Sequence, residues 1–301
     1  MKRFMLPVVV LTLLTGCSKS ENGELDTVRE RIPIQLNSGI REVTTRAAIN
    51  TDDEFAASIV GWETDGTIDY STKFSWSNET TITASTSIPG NTVTLIPTRY
   101  YAANDNVKTY IKGWHPVGTP SNGRVTFNNT DGTIDAMISS AINGSKKDSD
   151  NKNLVFEHPT TQIKFEVQAG TGLEAGTTIK SISIQEAQLP IGFDLTDNSV
   201  IYDNNPIELT VPGISEVEIT TDPVAIGEPI MIKPFDNQTM TVNVETSTAS
   251  FKNVTVTIDD DTKFLPGKAY TVTLTFQQKE ILLKAAVTAW NDSGTGAATI
   301  E

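Results

Sequence analysis

Apolar and polar residues alternate along this chain in short runs, and glycine, proline, asparagine and aspartate separate the runs. Alternation with a period of two residues is typical of a β-strand with one buried face, and no helical period of any length is present. The clearest runs span residues 32–36, 92–96, 124–127, 162–167, 178–184, 216–220, 239–245, 252–258 and 269–276. Short strands at even spacing predict an all-β fold built from β-sandwiches.

The composition supports the same fold class. Threonine accounts for 43 of the 301 residues, and its β-branched side chain is stiff at χ1 and favoured on pleated surfaces. Pairs that set turns punctuate the runs, among them Asn122–Gly123 and Pro266–Gly267.

Charge and rare residues exclude several functions. The chain has 37 acidic and 23 basic residues, a formal net charge of −14, so electrostatic binding to nucleic acid is not expected. The single cysteine excludes an intrachain disulfide, and two histidines leave little imidazole for catalysis or metal binding.

The N-terminus predicts export. Lys2 and Arg3 precede an apolar run at residues 4–14, which is too short to span a bilayer as a helix and is typical of a signal peptide. The only cysteine, Cys17, follows Leu-Thr-Gly and resembles the lipobox of a bacterial lipoprotein. We therefore expect removal of signal peptide 1–16, acylation of Cys17 (palmitate among the acyl groups) and tethering at the cell surface through the outer membrane.

The least apolar internal stretch, residues 139–153, predicts an exposed loop or linker and a domain boundary near residue 150. The predicted parts are a tether with the first strand at 17–46, an N-terminal domain at 47–150 and a C-terminal domain at 151–301.

No catalytic motif is present: G-x-S-x-G, H-E-x-x-H and glycine-rich phosphate loops are all absent from the sequence. His115 and His158 each precede proline, and a structural role is favoured for both. The stretch that begins at Asp148 resembles a calcium loop but lacks the Gly and Glu that such loops need at positions 6 and 12. We expect no enzyme, no cofactor and no metal, although a carboxylate pair for glycoside hydrolysis would not be visible in sequence.

Aromatic residues leave one alternative open. Trp114 and Tyr110 lie in the densest aromatic stretch, and although a core position is favoured for the tryptophan, a glycan or a host protein bound there would make the chain a tethered binding lipoprotein.

Several segments together resemble the fimbrillin family of Bacteroidetes, the pilins of type V pili and their relatives. They are the lipobox at Cys17, RIPIQLNSGI followed by TTRAA, FEHPTTQIKFEV, LPGKAYTVTLTF and the ending EILLKAAVTAWNDSGTGAATIE.

The resemblance implies two tandem β-sandwich domains of transthyretin-like topology and a subunit of a surface pilus that serves adhesion. It also implies cleavage after Arg46, with Ala47 as the new N-terminus, which frees the first strand at 32–36. A strand from another pilin subunit then fills the groove, because an opened sheet exposes unpaired backbone groups and an apolar stripe. The expected donor residues alternate near the C-terminus: Ile281, Leu283, Ala285, Val287 and Ala289.

Overall fold

The structure, a computed structural model, describes residues 31–41, 49, 51–87, 89–258, 262–277 and 281–288, the last range by its backbone only. Every helix or strand assigned within these residues is a β-strand, which confirms the all-β prediction. The strands of the first half are β1 (Leu36–Ile40), β2 (Glu54–Thr64), β3 (Trp76–Thr83), β4 (Asn91–Val93), β5 (Lys108–His115), β6 (Arg124–Thr126), β7 (Met137–Ser139), β8 (Ile142–Gly144) and β9 (Lys152–Glu157).

Eleven further strands follow in the described residues. They are β10 (Thr161–Ala169), β11 (Thr178–Ala187), β12 (Pro190–Asp194), β13 (Ser199–Tyr202), β14 (Ile207–Thr210), β15 (Val217–Glu218), β16 (Val224–Ile232), β17 (Thr239–Thr246), β18 (Ser250–Thr257), β19 (Ala269–Phe276) and β20 (Ile281–Thr288).

The first nine strands, except β6, form an eight-stranded sheet in the order β3-β2-β5-β7-β9-β1-β4, with β8 on β5. The two edges of this sheet approach each other: Asn78 on β3 donates from Nδ2 to the Ile96 carbonyl, 2.6 Å away, just beyond β4. The sheet therefore curls around a core that takes Leu36, Ile59 and Phe156 from three different strands.

The second half builds two sheets with one shared core. One has the order β16-β10-β19-β20, and the other has the order β14-β11-β17-β18 with β15 on β11. Phe165 and Leu274 from the first sheet and Ile182 and Val242 from the second belong to the same buried cluster, so the two sheets pack face to face.

A small third sheet joins the two halves of the sequence. The hairpin β12–β13 pairs with β6, and Gly192 faces Thr126 in this register. Phe193 and Leu195 are buried there against Trp114 on the back of the eight-stranded sheet. That sheet is consequently covered on both faces.

Contacts group Arg31–Glu301 into one compact unit. The stretch at 139–153 is an exposed loop in part: it contains β8, and β9 begins at Lys152, but between these strands Lys147, Asp148 and Asp150 are exposed. At the start of the stretch Ser139 is buried, and its Oγ accepts a hydrogen bond from the Gly113 amide at 2.8 Å. The division near residue 150 and the transthyretin-like topology stay predictions.

The first strand also differs from the expected run at 32–36. Regular pairing begins only at Leu36 and continues to Ile40, whereas Pro33 forms a single bridge to Tyr100. The physical reason is that proline has no amide hydrogen to donate to a ladder.

Candidate functional site

Strand β1 is an interior strand of its sheet. It runs parallel to β9 and antiparallel to β4, so Leu36 faces Lys152 on one side and Val93 on the other. A strand in this position satisfies hydrogen-bonding groups of both neighbours, and its removal would open a groove between them. We call this groove, bounded by β4 and β9, the β1 groove.

Hydrogen bonds continue beyond both ends of β1. The Ile34 amide donates to the Arg99 carbonyl at 2.8 Å, and the Arg41 amide donates to the Phe156 carbonyl at 2.9 Å. The backbone is therefore held over a segment longer than the strand itself.

The side chains of this segment fill the core at alternate positions. Ile34, Leu36 and Ile40 are each 5% exposed or less, and they pack in one cluster with Leu154 and Phe156. Burial of a side chain of this size contributes about 1.5–3 kcal/mol, so an emptied β1 groove would present a substantial apolar stripe to water.

The β1 groove is narrow at Ser38 and Gly39. A β-carbon at Gly90 would overlap the Ser38 carbonyl, and one at Gly39 would lie 3.1 Å from the Ser85 carbonyl oxygen. Ser38 is fully buried, and its Oγ has no hydrogen-bond partner among the described residues. The expectation of a strand at 32–36 missed this feature, because Asn-Ser-Gly is ordinarily typical of a turn.

The expected processing residues Arg46 and Ala47 lie outside the described residues, as does Cys17. Residues 42–48 lie outside the described ranges. Before them, Arg41 is exposed and its Nη2 lies 2.8 Å from Glu157 Oε1; after them, Ile49 is buried in the same cluster as Leu36. Cleavage and lipidation stay predictions.

The expected donor residues Ile281, Leu283, Ala285 and Val287 lie in β20, and Ala289 lies outside the described residues. Within this chain β20 pairs antiparallel with β19, from Ala269 opposite Thr288 to Phe276 opposite Ile281. In the order of its four-stranded sheet β20 is the last strand, next to β19. Donation to another subunit stays a prediction.

A cleft of about 730 Å³ opens where β9, β13 and the loops after β16 and before β19 meet. Its wall carries Lys233 and Lys263 beside Tyr202, the carboxylate of Asp236, and the ion pair of Arg41 with Glu157. Lys233 Nζ donates to Gln188 Oε1 at 3.0 Å, and burial raises the pKa of Tyr202 above its ordinary value, so its hydroxyl stays protonated at neutral pH.

The two histidines have structural surroundings. His158 Nδ1 lies 2.8 Å from Asp135 Oδ1, and both side chains are buried. His115 Nδ1 lies 2.7 Å from the Ala56 carbonyl; burial, more than any other cause, lowers the pKa of this imidazole. Within the described ranges no group of three or more His, Cys, Asp or Glu is arranged to hold a metal ion.

Trp114 is fully buried and Tyr110 is half-buried. The Trp114 indole donates to the Gly118 carbonyl at 3.2 Å. A ring enclosed in this way cannot stack on a sugar, so the stacking platform considered for Trp114 is wrong, and its enclosure by the β12–β13 hairpin is the reason.

Lys112 is a buried cation that the sequence did not single out. Its Nζ donates to the Leu195 carbonyl and, at 2.6 Å, to Asn198 Oδ1, and it lies 3.9 Å from the centre of the Tyr70 ring. Burial lowers the pKa of Lys112 to about 8, against smaller opposing effects of Asp197 and Asp194. No sequence signal marks it, because its partners are far along the chain.

Comparison with known families gives one match: the model of a family described as fimbrillin-like matches residues 43–290. No curated protein sequence matches the chain. None of the described residues forms a helix long and apolar enough to cross a membrane.

Solved structures share the fold at low identity. A protein of Bacteroides uniformis named for cell adhesion is 16% identical, with a TM-score of 0.56 over 87% of this chain and 99% of that one. A fimbrial protein of Bacteroides vulgatus is 14% identical, with a TM-score of 0.50 over 87% and 100%. A protein of Bacteroides thetaiotaomicron named for polysaccharide binding is 9% identical, with a TM-score of 0.50 over 89% and 98%. At these identities the likeness shows the fold.

Proposed function

The chain belongs to the fimbrillin-like family, and on that premise we propose that it is a structural or accessory subunit of a cell-surface pilus, without catalytic activity, that serves adhesion. It is exported as a lipoprotein, acylated at Cys17 and held at the outer membrane until it is processed after Arg46. It then assembles with other pilin subunits by β-strand donation.

The observation that carries this proposal is the position of β1. An interior strand that precedes the proposed cleavage site is paired on both sides, by β9 and β4, and places Ile34, Leu36 and Ile40 in the core. Cleavage after Arg46 cuts the covalent link between this strand and the rest of the sheet. Once it leaves, the exposed backbone groups and apolar stripe favour its replacement by a strand of similar pattern.

The donor is the C-terminal segment that holds Ile281, Leu283, Ala285, Val287 and Ala289. The described part of this segment, β20, pairs with β19 and is the last strand in the order of the sheet. Departure of β20 therefore leaves the pairing of β10 with β19 and β16 in place.

The test uses residues 18–301, treated briefly with an Arg-specific protease. We expect a new N-terminus at Ala47 and a ladder of detergent-resistant multimers on unheated gels. Arg46→Ala should remove both, whereas Arg41→Ala, which alters an exposed arginine on the same segment, should behave like the parent chain. Processing and assembly of Arg46→Ala at the parent level, or a parent chain that is cut at Ala47 and stays monomeric, would contradict the proposal.

A second candidate function rests on the cleft beside Tyr202. Its volume is in the range of small-ligand sites, and Lys233 and Lys263 line it together with Asp236 and the Arg41–Glu157 ion pair. The protein of similar fold from Bacteroides thetaiotaomicron is named for polysaccharide binding. Under this function the chain stays tethered and binds a glycan in the cleft. Retention on a glycan array that is lost in Lys263→Ala and kept in Lys252→Ala, an exposed lysine elsewhere, would support it, and an array with no retention would contradict it.

A further inference from the structure

The eight-stranded sheet closes on itself at one place without a backbone ladder. β3 and β4 are the first and last strands in its order, and no ladder pairs them in the described residues. Side chains join the two edges instead, by donating to backbone carbonyls across the gap: Asn78 Nδ2 to Ile96 at 2.6 Å, Thr80 Oγ1 to Thr94 at 3.0 Å and Asn91 Nδ2 to Thr83 at 3.1 Å. We call this row of hydrogen bonds the β3–β4 seam.

Arg99 strengthens one end of the β3–β4 seam. Its Nε donates to Asn78 Oδ1 at 2.6 Å, and its Nη2 donates to the Ser77 carbonyl at 2.7 Å. The guanidinium carbon also lies 5.7 Å from the centre of the Trp76 ring. Asn78 is buried, and its amide is used at both ends, as a donor across the gap and as an acceptor from Arg99. Because hydrogen bonds from a charged donor are stronger than neutral ones, this end is the firmest part of the seam.

The β3–β4 seam is independent of β1. None of its donors or acceptors belongs to residues 36–40. In the part of the chain that the structure describes, the only ladder of β4 is with β1, from Leu36 opposite Val93 to Ser38 opposite Asn91. Departure of β1 would remove this ladder and leave the seam intact, so the seam would continue to hold β4 against β3.

An emptied β1 groove has a physical reason to close. Val93 and Leu95 are buried in the same cluster as Leu36, and the space that Leu36 leaves would draw them inwards, because burial of apolar surface is favourable. A β4 that moved in this way would cover the groove, and any incoming strand would have to displace it. A groove that is held open binds more tightly, since a preorganised site needs no rearrangement.

We infer that the β3–β4 seam keeps the β1 groove open after β1 has left, with Asn78 and Arg99 as positioning residues that hold β4 in place. Loss of either side chain lets β4 move into the groove. The inference rests on the proposed release of the first strand, and it applies to whichever strand then enters.

The test measures how a fluorescent peptide of residues 31–41 refills the groove. Residues 18–301 are cut after Arg46, the cut segment is removed by gel filtration, and binding to the monomer fraction is followed by anisotropy. We expect Asn78→Ala and Arg99→Ala each to bind the peptide about tenfold more weakly than the parent, because each removes hydrogen bonds of the seam. The matched control is Thr81→Ala, at an exposed residue of the same strand, which should bind like the parent. Thermal unfolding of the uncut variants controls for folding.

A cross-link separates the position of β4 from other effects of the substitution. Residues 18–301 contain no cysteine, so Thr83→Cys and Asn91→Cys, at a bonded pair of the seam, are joined by a short bismaleimide in the Asn78→Ala background. The cross-link holds β4 against β3 without the Asn78 amide. We expect it to restore peptide binding, whereas the same variant without the cross-linker should bind weakly.

The outcomes distinguish this inference from the proposed function. A parent chain that is never cut, or that is cut and keeps its first strand, overturns the proposed release and the inference with it. A parent chain that releases its first strand but takes up the peptide no better than Asn78→Ala and Arg99→Ala overturns the inference alone. A cross-linked Asn78→Ala chain that still binds weakly also overturns it.

Discussion

Lys112 and Asn198 lie 86 residues apart in sequence, and the lysine Nζ donates to the asparagine Oδ1 at 2.6 Å. The contact ties β5 of the eight-stranded sheet to the turn between β12 and β13. Because the lysine also donates to the Leu195 carbonyl, one buried amine holds the turn of a hairpin from the other half of the sequence.

This buried amine makes stability depend on pH. The pKa of Lys112 is about 8 in the folded chain, against an ordinary value of 10.5 for lysine, so between these pH values the unfolded chain binds more protons and stability rises with pH. Relative to Lys112→Met, the parent chain should gain up to about 3 kcal/mol in free energy of unfolding from pH 7.5 to 10.5. Urea titrations measure this, with Lys108→Met on the exposed end of the same strand as the control. An equal pH response in the parent and Lys112→Met would contradict it.

Ser38→Ala should stabilise the unprocessed chain. The change removes a buried hydroxyl that has no partner among the described residues, and such a group costs about 1–3 kcal/mol. We expect a rise in Tm of about 2–4 °C. Ser140→Ala, at an exposed serine, should leave Tm unchanged; a lower Tm for Ser38→Ala would show that its hydroxyl is bonded in solution.

Gly90→Ala should weaken the pairing of β1 with β4. The added methyl group overlaps the Ser38 carbonyl, and overpacking against backbone costs about 1–3 kcal/mol or more. The expected result is a lower Tm together with faster hydrogen exchange of the β1 amides. The matched control is Gly66→Ala, where the nearest atom to the new β-carbon is Thr64 Oγ1 at 3.7 Å. Equal effects of the two changes would contradict the close approach of Gly90 to the Ser38 carbonyl.

Phe193→Ala should loosen the hairpin from the eight-stranded sheet. Phe193 is fully buried with Trp114 and Val125, and loss of a buried phenylalanine costs about 3–5 kcal/mol. We expect a red shift of tryptophan emission as Trp114 meets water, and a smaller effect for Val200→Ala on the half-buried side of the hairpin. If Phe193→Ala lowers the stability of the protein but its tryptophan emission is unchanged or shifts to the blue, the packing around Trp114 is not the part that the change loosens.

Sequence pattern predicted strands well where one face of a strand is covered. Residues 269–276 were predicted from alternation and are β19, in which fully buried Tyr270, Val272 and Leu274 alternate with half-buried threonines. In β2 the pattern is hidden, because Ile59 belongs to the core that includes β1 and Val60 to the core under the β12–β13 hairpin. A strand buried on both faces has no polar alternation to detect.

The candidate site was predictable in outline only. The proposed release of the first segment and the proposed C-terminal donor follow from the fimbrillin resemblance, but the narrow part of the β1 groove depends on Gly90 and Ser85, which approach β1 from a different part of the chain. Such a restriction arises from tertiary contact, and an Asn-Ser-Gly sequence is by itself typical of a turn.

The two-sided pairing of β1 has a mechanical consequence. A pull along the axis of the strand that lies between β9 and β4 is a shear, in which the hydrogen bonds to both neighbours are loaded together. A pull across the sheet would instead break them one after another. Residues 36–40 are therefore expected to resist a pull along the strand axis through both ladders at once.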